Sequence, residues 1–249
     1  MNITVCVKRV PDTETRIRIN DNGGAIESDG VKYILSPYDE FAIEAALQAV
    51  EAAGDGEVTL LSLGDDGAKE SIRAGLAMGA HRGVLLKGDA TMDGLATARA
   101  LAEELQATTP DMVLFGIKAI DDDQQQVGPM VAELLGRPCA TSVTELSVSG
   151  GTVTCRRAVE GGVEVVEMDL PATASITKGK YEPRYASLKG IMAAKRKPLD
   201  EKDAVTADSS LVLAGLDYPA ERPEGRVVGE GPEAVGELVR LLREEAKVL

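Results

Sequence analysis

The feature that most constrains this chain is an alternation that runs to about residue 135. Short continuous apolar runs are separated by longer stretches with an apolar residue every three or four positions. The runs are residues 2–7, Val58 to Leu63, Gly83 to Lys87 and Asp111 to Gly116. Between them the spacing predicts a helix from Ser36-Pro37 to about Ala53, with Ile43, Leu47 and Val50 on one face, and another from Gly67 to about Met78. Further helices are predicted over 92–107, with Leu95, Ala98, Ala102 and Leu105 inward, and from Gln124 to Leu135, with Val127, Met130, Val131 and Leu134 inward. Strands apolar at every position are covered on both faces, and parallel neighbours need crossovers that helices supply. The expectation is an α/β fold with a doubly wound parallel sheet. A polar, hairpin-like excursion, Arg16 to Glu27, leaves the first strand and turns at Asp21-Asn22-Gly23-Gly24.

After Arg137 the pattern changes. Thr152 to Val159 and Val163 to Met168 flank Gly161-Gly162, a hairpin signal, and Pro171 to Thr177 is a further β-like run. LKGIMAAKRKPLDEKD reads as a short helix and then a charged linker, and residues 200–231 as irregular. The last 19 residues form an amphipathic helix with Val235, Leu238, Val239, Leu242 and Ala246 on one side. That stripe needs the main domain or another chain to cover it. Two regions are therefore expected: an α/β domain with a β-hairpin extension over 1–195, and an extended C-terminal arm over 196–249.

Composition narrows the function. A formal net charge of −14 argues against nucleic acid and anionic membranes as partners, and no apolar stretch approaches the ~20 residues of a membrane span. The N-terminus already reads as a buried strand rather than a targeting segment. Three cysteines without paired spacing suit a reducing compartment, and the lone His81, which with Arg82 ends a helix, forms no metal-ligand cluster. A cytoplasmic protein is expected.

Ligands of doubly wound sheets bind beyond the carboxyl ends of the strands. The segments that leave those ends are Lys8 to Thr13, Leu63 to Asp66 and Gly116 to Gly128, with Ser36 to Asp39 at a helix start as a fourth. The third holds IKAIDDDQQQVGP, in which three acids run into three amides. A loop that opens a helix offers unpaired N–H groups and a positive dipole end. Asp121, Asp122 and Asp123 are expected to cap the helix and accept from ribose hydroxyls, with Gln124, Gln125, Gln126 and Val127 as donors and Gly116 admitting a purine. The competing reading is an acidic N-capping cluster on a solvated turn. KRVPDTET stands where a GxGxxG loop would be, and no GxxxxGK[ST], Ser-Gly-Gly or GxSxG motif and no Cys/His pair occurs. No catalytic residues are expected, and no enzyme. Ser187 can cap a short helix bearing Leu188, Ile191 and Met192 on one face, although Gly190 weakens it by up to ~1 kcal/mol relative to Ala. Either that face docks on the chain's own sheet or it stays open.

VKRVPDTETRIRI, DGVKYILSPYDEFAIEAAL, ESIRAGLAMGAHRG, GIKAIDDDQQQVG, VEGGVEVVEMDLPATASIT and EPRYASLKGIMAAKRKPL follow one another in an order and spacing that resemble the electron transfer flavoprotein beta subunits, nearly end to end. The resemblance implies an adenine-nucleotide-binding, Rossmann-like fold and a heterodimer with an alpha subunit that carries most of the FAD site. It implies electron traffic from acyl-CoA-type dehydrogenases, as in fatty acid oxidation, toward a quinone oxidoreductase. It also implies one structural AMP, contacted by Cys6, by Ser36, Pro37, Tyr38 and Asp39, by Leu63, and by Gly116, Ile117, Lys118, Ala119, Ile120 and Asp121 through Val127. Tyr38 and Thr13 fall at flavin-proximal positions, Thr13 where some relatives carry tyrosine. Leu188, Ile191, Met192 and Lys195 match a partner-recognition loop, with Arg196 and Lys197 extending a positive rim. Two alternatives are a stand-alone nucleotide-binding regulator of universal-stress-protein type, and an electron-bifurcating beta subunit with a second FAD in place of AMP; IDDD with PYDEF looks like the AMP-holding branch.

Overall fold

In a computed structural model, residues 1–89, 91–205, 208–222 and 224–249 are described; 90 lies outside, as do 206, 207 and 223 inside the stretch expected to be irregular. Strands β1 (Asn2–Cys6), β2 (Arg9–Pro11) and β3 (Tyr33–Leu35) lead into helix α1 (Pro37–Ala53). Then β4 (Glu57–Gly64), α2 (Ala68–Met78), β5 (Arg82–Lys87), α3 (Gly94–Thr108), β6 (Met112–Gly116) and α4 (Val127–Leu135) alternate as the periodicity requires. They are followed by β7 (Cys139–Ser149), β8 (Thr152–Val159), β9 (Gly162–Asp169), β10 (Ala172–Ile176), α5 (Leu188–Ala194), β11 (Leu199–Asp203), and α6 (Val235–Glu244) behind a single turn at Pro232–Ala234.

Nine strands form one sheet in the order β11-β5-β4-β1-β6-β10-β7-β8-β9, parallel from β11 through β7 and antiparallel across β7, β8 and β9. Period-two geometry sends alternate residues of the parallel strands to two cores. Ile3, Val5, Leu60 and Leu114 pack with Ile43 and Leu47 of α1 and Ile72 and Leu76 of α2. Cys6, Leu61, Val113 and Phe115 pack with Leu101 and Leu105 of α3 and Val131 of α4. Helices thus cover both faces. The winding reverses at β1, which pairs with β4 on one side and β6 on the other. At such a reversal the crossovers leave in opposite directions, and a crevice opens beyond the strand ends.

Several expectations are corrected. The apolar face of α1 is buried as expected, but Leu95 is only half-buried and Leu134 is exposed. Residues 199–203, expected to be a charged linker, form β11, parallel to β5 at the sheet edge. The arm expected from residue 196 thus begins with a strand of the main sheet. Strand β7 and the β2–β3 ribbon were not anticipated. That ribbon carries the polar excursion at its tip, where Ile19 bridges Ile26 and Gly23 turns at φ +68°. Helix α4 begins at Val127, three residues later than the spacing suggested, because Asp123 and Gln125 both take left-handed backbone conformations, φ +53° and +57°. No helix among the described residues is long and apolar enough to cross a membrane.

Candidate functional site

Beyond the carboxyl ends of β1 and β6 lies a cleft of about 460 Å³, inside the roughly 300–1,000 Å³ range of small-molecule sites. Cys6 and Lys8 leaving β1, Leu63 and Gly64 leaving β4, and Gly116 leaving β6 line it, together with most of the loop that follows. Of the residues expected at a nucleotide site, Asp39, Ile117, Lys118, Ala119, Asp121, Asp122, Gln124, Gln125, Gln126 and Val127 also border the cleft. Ser36, Pro37, Tyr38, Ile120 and Asp123 do not.

Asp39 is the brace of the crevice. It stands in the first turn of α1, where a carboxylate suits the helix dipole, and its two oxygens accept from the backbone N–H groups of Lys8 (2.7 Å) and Gly116 (3.2 Å). One side chain therefore ties together the ends of the two strands that part at the switch point. Burial pushes its pKa up to about 7, against the pull of those two donors and of Lys8. The same packing explains Gly116. A Cβ there would lie 2.4 Å from Asp39 Oδ1 and 2.7 Å from the Tyr38 carbonyl carbon. The glycine admits the start of α1.

The three acids of IDDDQQQ do not cap α4, whose N-cap is Gln126 without a side-chain bond. The displaced helix start leaves them facing lysines. Lys8 Nζ meets Asp121 at 2.9 Å and Asp122 at 3.0 Å, and Lys118 Nζ meets Asp123 at 2.9 Å. Burial works against the Lys8 charge, but its hydrogen bonds to Asp121 and Asp122 leave its pKa raised; the bond to Asp123 raises that of Lys118. Asp122 also accepts weakly from Gln124 N, and Gln124 accepts from the Gln126 side-chain amide. The loop is thus a lysine-stapled wall. Among the described residues, the backbone N–H groups of Gln125 through Gly128 have no hydrogen-bond partner, so the donors expected at this helix start are free beside the cleft.

Cys6 is buried, and burial followed by the Asp39 charge pushes its thiol well above the ordinary range, as suits a packing neighbour rather than a nucleophile. Ser36 is fully buried, with its Oγ unpartnered among the described residues. Thr13 is exposed, and Tyr38 lies with Lys118 Nζ 5.8 Å from its ring. Sequence reasoning did not single out Tyr33, Met92, Gly94 or Thr97, nor Arg9 within the strand-end segment Lys8 to Thr13, and all five also line the cleft. Arg9 could have been flagged as a cation two residues past a strand that ends at the switch point. Tyr33 comes from a ribbon that carried no signal, and Met92, Gly94 and Thr97 from the start of a helix whose spacing was read but whose place beside the cleft was not.

At α5, Ser187 accepts from Gly190 N at 3.0 Å, the expected cap. Leu188 is 79% exposed, and Ile191 and Met192 are exposed beside it; only Ala194 is buried. The apolar face therefore does not dock on the chain's own sheet. Gly190 is needed where α5 crosses the end of α2, because a Cβ would lie 2.7 Å from the Ala77 carbonyl oxygen. Lys195 and Arg196 are exposed, but Lys197 leaves the expected rim: its Nζ donates to the carbonyls of Leu76 (2.9 Å) and Ala80 (2.6 Å) at the end of α2. Arg73 holds the carbonyls of Ala194 and Lys197, and Arg184 grips Glu44 and Glu51 of α1. The exposed face is thereby presented from a fixed base.

The Electron transfer flavoprotein domain family matches residues 23–207. A protein named "Electron transfer flavoprotein subunit beta" from Bradyrhizobium diazoefficiens is 41% identical over 251 aligned residues, covering all of both chains. Its namesake from Syntrophomonas wolfei is 40% identical over 233 residues, 94% of this chain and 92% of that one. That from Sus scrofa is 36% identical over 98% and 97%.

Proposed function

The chain belongs to the electron transfer flavoprotein family as a beta subunit, and from that premise we propose how its cleft and its open surfaces serve electron transfer. The cleft holds one adenine mononucleotide, AMP, as a structural ligand. The free N–H groups before and within the first turn of α4 suit its phosphate and hydroxyl oxygens, and the walls are set by Asp39 and the lysine-stapled loop. FAD belongs mainly to an alpha subunit, with Tyr38 and Thr13 on the flavin side, and supplies the electron-carrying chemistry when bound. Helix α6 covers its apolar stripe on that partner. The α5 face, Leu188 with Ile191, Met192 and Lys195, docks transiently on acyl-CoA-type dehydrogenases and a quinone oxidoreductase, in the cytoplasm. Such a surface tolerates several partners because methionine repacks easily.

One observation carries this reading: a mononucleotide-sized cleft whose carboxylates, lysines and thiol are engaged or buried. Asp39 already accepts two backbone bonds, Lys8 and Lys118 are paired, and the Cys6 thiol is buried. A ligand there is held rather than transformed, and it stabilises the folded state by mass action. Denaturing the purified heterodimer should release AMP and FAD in equal amounts. Two FAD and no AMP would transfer the chain to the bifurcating branch, and stoichiometric flavin on the isolated chain would refute the division of labour.

A further inference from the structure

We propose that Arg9 reads the phosphate of the nucleotide in this cleft, and that preference for a nucleoside monophosphate over a bare nucleoside depends on it. The inference rests on the reading of the cleft as an adenine-nucleotide site.

Three cations line the cleft: Lys8, Arg9 and Lys118. The two lysines are matched by Asp121, Asp122 and Asp123. Arg9 has no carboxylate within ion-pair distance among the described residues, and its Nε is buried without an acceptor. The guanidinium is also held in place. Its Cζ lies 3.7 Å from the centroid of the Tyr33 ring, and a Cβ on Gly67 would come within 2.8 Å of that Cζ. A buried, unmatched donor would ordinarily swing out to water; here the ring and the α2 start restrain it.

The neighbourhood has the wrong sign for a cation. Gly67 is the N-cap of α2 and makes no side-chain cap, so Arg9 sits against the positive end of a helix dipole. The acids that precede that helix start are engaged elsewhere. Asp65 accepts from the Gly67 N–H at 2.9 Å, and Asp66 pairs with Lys69 and Lys87. A guanidinium and a helix start brought together in a cleft are reconciled by an anion between them. The planar fork of arginine matches a phosphate through two parallel bonds, which a lysine cannot do. The N–H groups that open α4 border the same cleft, so Arg9 is one of two anion contacts and its removal weakens binding without abolishing it.

The test uses the heterodimer, stripped of nucleotide and titrated calorimetrically with AMP and with adenosine. Wild type should prefer AMP strongly. Arg9→Gln should weaken AMP by roughly 10- to 150-fold, the range for a charged hydrogen bond, while adenosine binding changes less than about threefold. Arg9→Lys should fall between. If Arg9→Gln fails to assemble, Gly67→Ala serves instead. It leaves every charge in place, the backbone there has φ −64° and accepts a side chain, and the new methyl displaces the guanidinium. It should weaken AMP several-fold and leave adenosine unchanged. Undiminished AMP affinity in these variants, or equal losses of AMP and adenosine, overturns the assignment and makes Arg9 a packing residue on Tyr33. A wild-type heterodimer that takes up neither compound overturns the reading of the cleft itself.

Discussion

Helices α2 and α6 follow the same local pattern and end in opposite surroundings. The 11 residues of α2 place Ile72 and Leu76, both 0% exposed, against β4 and β5. The 10 residues of α6 align Val235, Leu238 and Val239 on one side, and these are 54%, 43% and 37% exposed. α2 is bounded by adjacent parallel strands, so the crossover that makes it also supplies its cover. α6 follows an arm with no such neighbour; among the described elements α6 packs mainly on the turn before it, while the arm itself is tied to Asp93 through Ser210 and Leu211 and to the excursion through Leu216 and Tyr218. A helical stripe states that cover is needed. Only topology states who provides it: for α2 it is the chain itself, and for α6, on the function proposed above, it is a second chain.

The largest effect should come from breaking the covered side. Leu76→Ala removes a fully buried side chain between α2 and the sheet, and the lost transfer energy and cavity together should cost about 2–5 kcal/mol of unfolding free energy. Urea denaturation of the heterodimer measures it. A loss below about 1 kcal/mol would mean that this face is loosely packed and that the contrast with α6 is overstated.

Breaking the open side should leave the chain's own fold alone. Leu238→Asp together with Val239→Asp places two charges where a partner must desolvate the stripe, and should weaken subunit association by at least 2 kcal/mol, or roughly 30-fold. Gel filtration and sedimentation report the association, and circular dichroism of the same variant should retain its helix signal. Unchanged association would show that the arm is not part of the interface.

What was legible in the sequence divides along the same line. Continuous apolar runs such as Val58 to Leu63 announced strands buried on both faces, and three-to-four spacing announced the helices between them. β11 was invisible because LDEKD carries no apolar pattern. It pairs at a sheet edge through its backbone and through ion pairs, with Asp200 meeting Arg82 and Glu201 meeting Lys69 and Lys87. β7 was missed because its buried positions, Ala140, Val143 and Leu146, are spaced by three, as a helix would be, since a register shift interrupts strict alternation. In the site, the loop after β6 was found from topology, but the partners of its acids were not. Lys8 is 113 residues from Asp121 in sequence, and no local rule joins them. Gly116 shows the same limit, since its need for no side chain comes from α1 and not from its own turn.

A third, smaller effect separates α5 from both helices. Leu188 is more exposed than any of the α6 stripe residues just described, yet its base is fixed by Arg73, Lys197 and Arg184. Leu188→Ala should slow electron transfer from an acyl-CoA-type dehydrogenase by roughly 5- to 150-fold, the equivalent of ~1–3 kcal/mol at a transient anchor. Flavin content and melting temperature should stay as in wild type. A large fall in melting temperature with unchanged transfer would place α5 among the covered helices after all.

The smallest effect concerns what holds that base. Glu44 has a side chain only 5% exposed and receives Arg184 at 2.8 Å, while the same guanidinium reaches Glu51 at 2.7 Å on the surface. Burial alone would raise the Glu44 pKa, but the hydrogen bonds from Arg184 and Gln48 outweigh it and leave it below the ordinary value of about 4.3. A carboxylate whose folded-state pKa is depressed contributes stability that is complete above its unfolded pKa. That contribution is lost as pH falls through the folded value, because the unfolded chain binds the proton first. Glu44→Gln should therefore cost about 1 kcal/mol at pH 7, since Glu51 and the new amide oxygen still receive Arg184. The gap between variant and wild type should begin to close as pH falls below about 4.3, where the unfolded chain takes up the proton, and should vanish below the folded value, where the wild-type carboxyl is neutral too. Parallel denaturation curves of the two proteins from pH 7 to pH 3 measure that gap. A gap that stays constant to pH 3 would mean that shape, rather than charge, anchors the segment leading into α5.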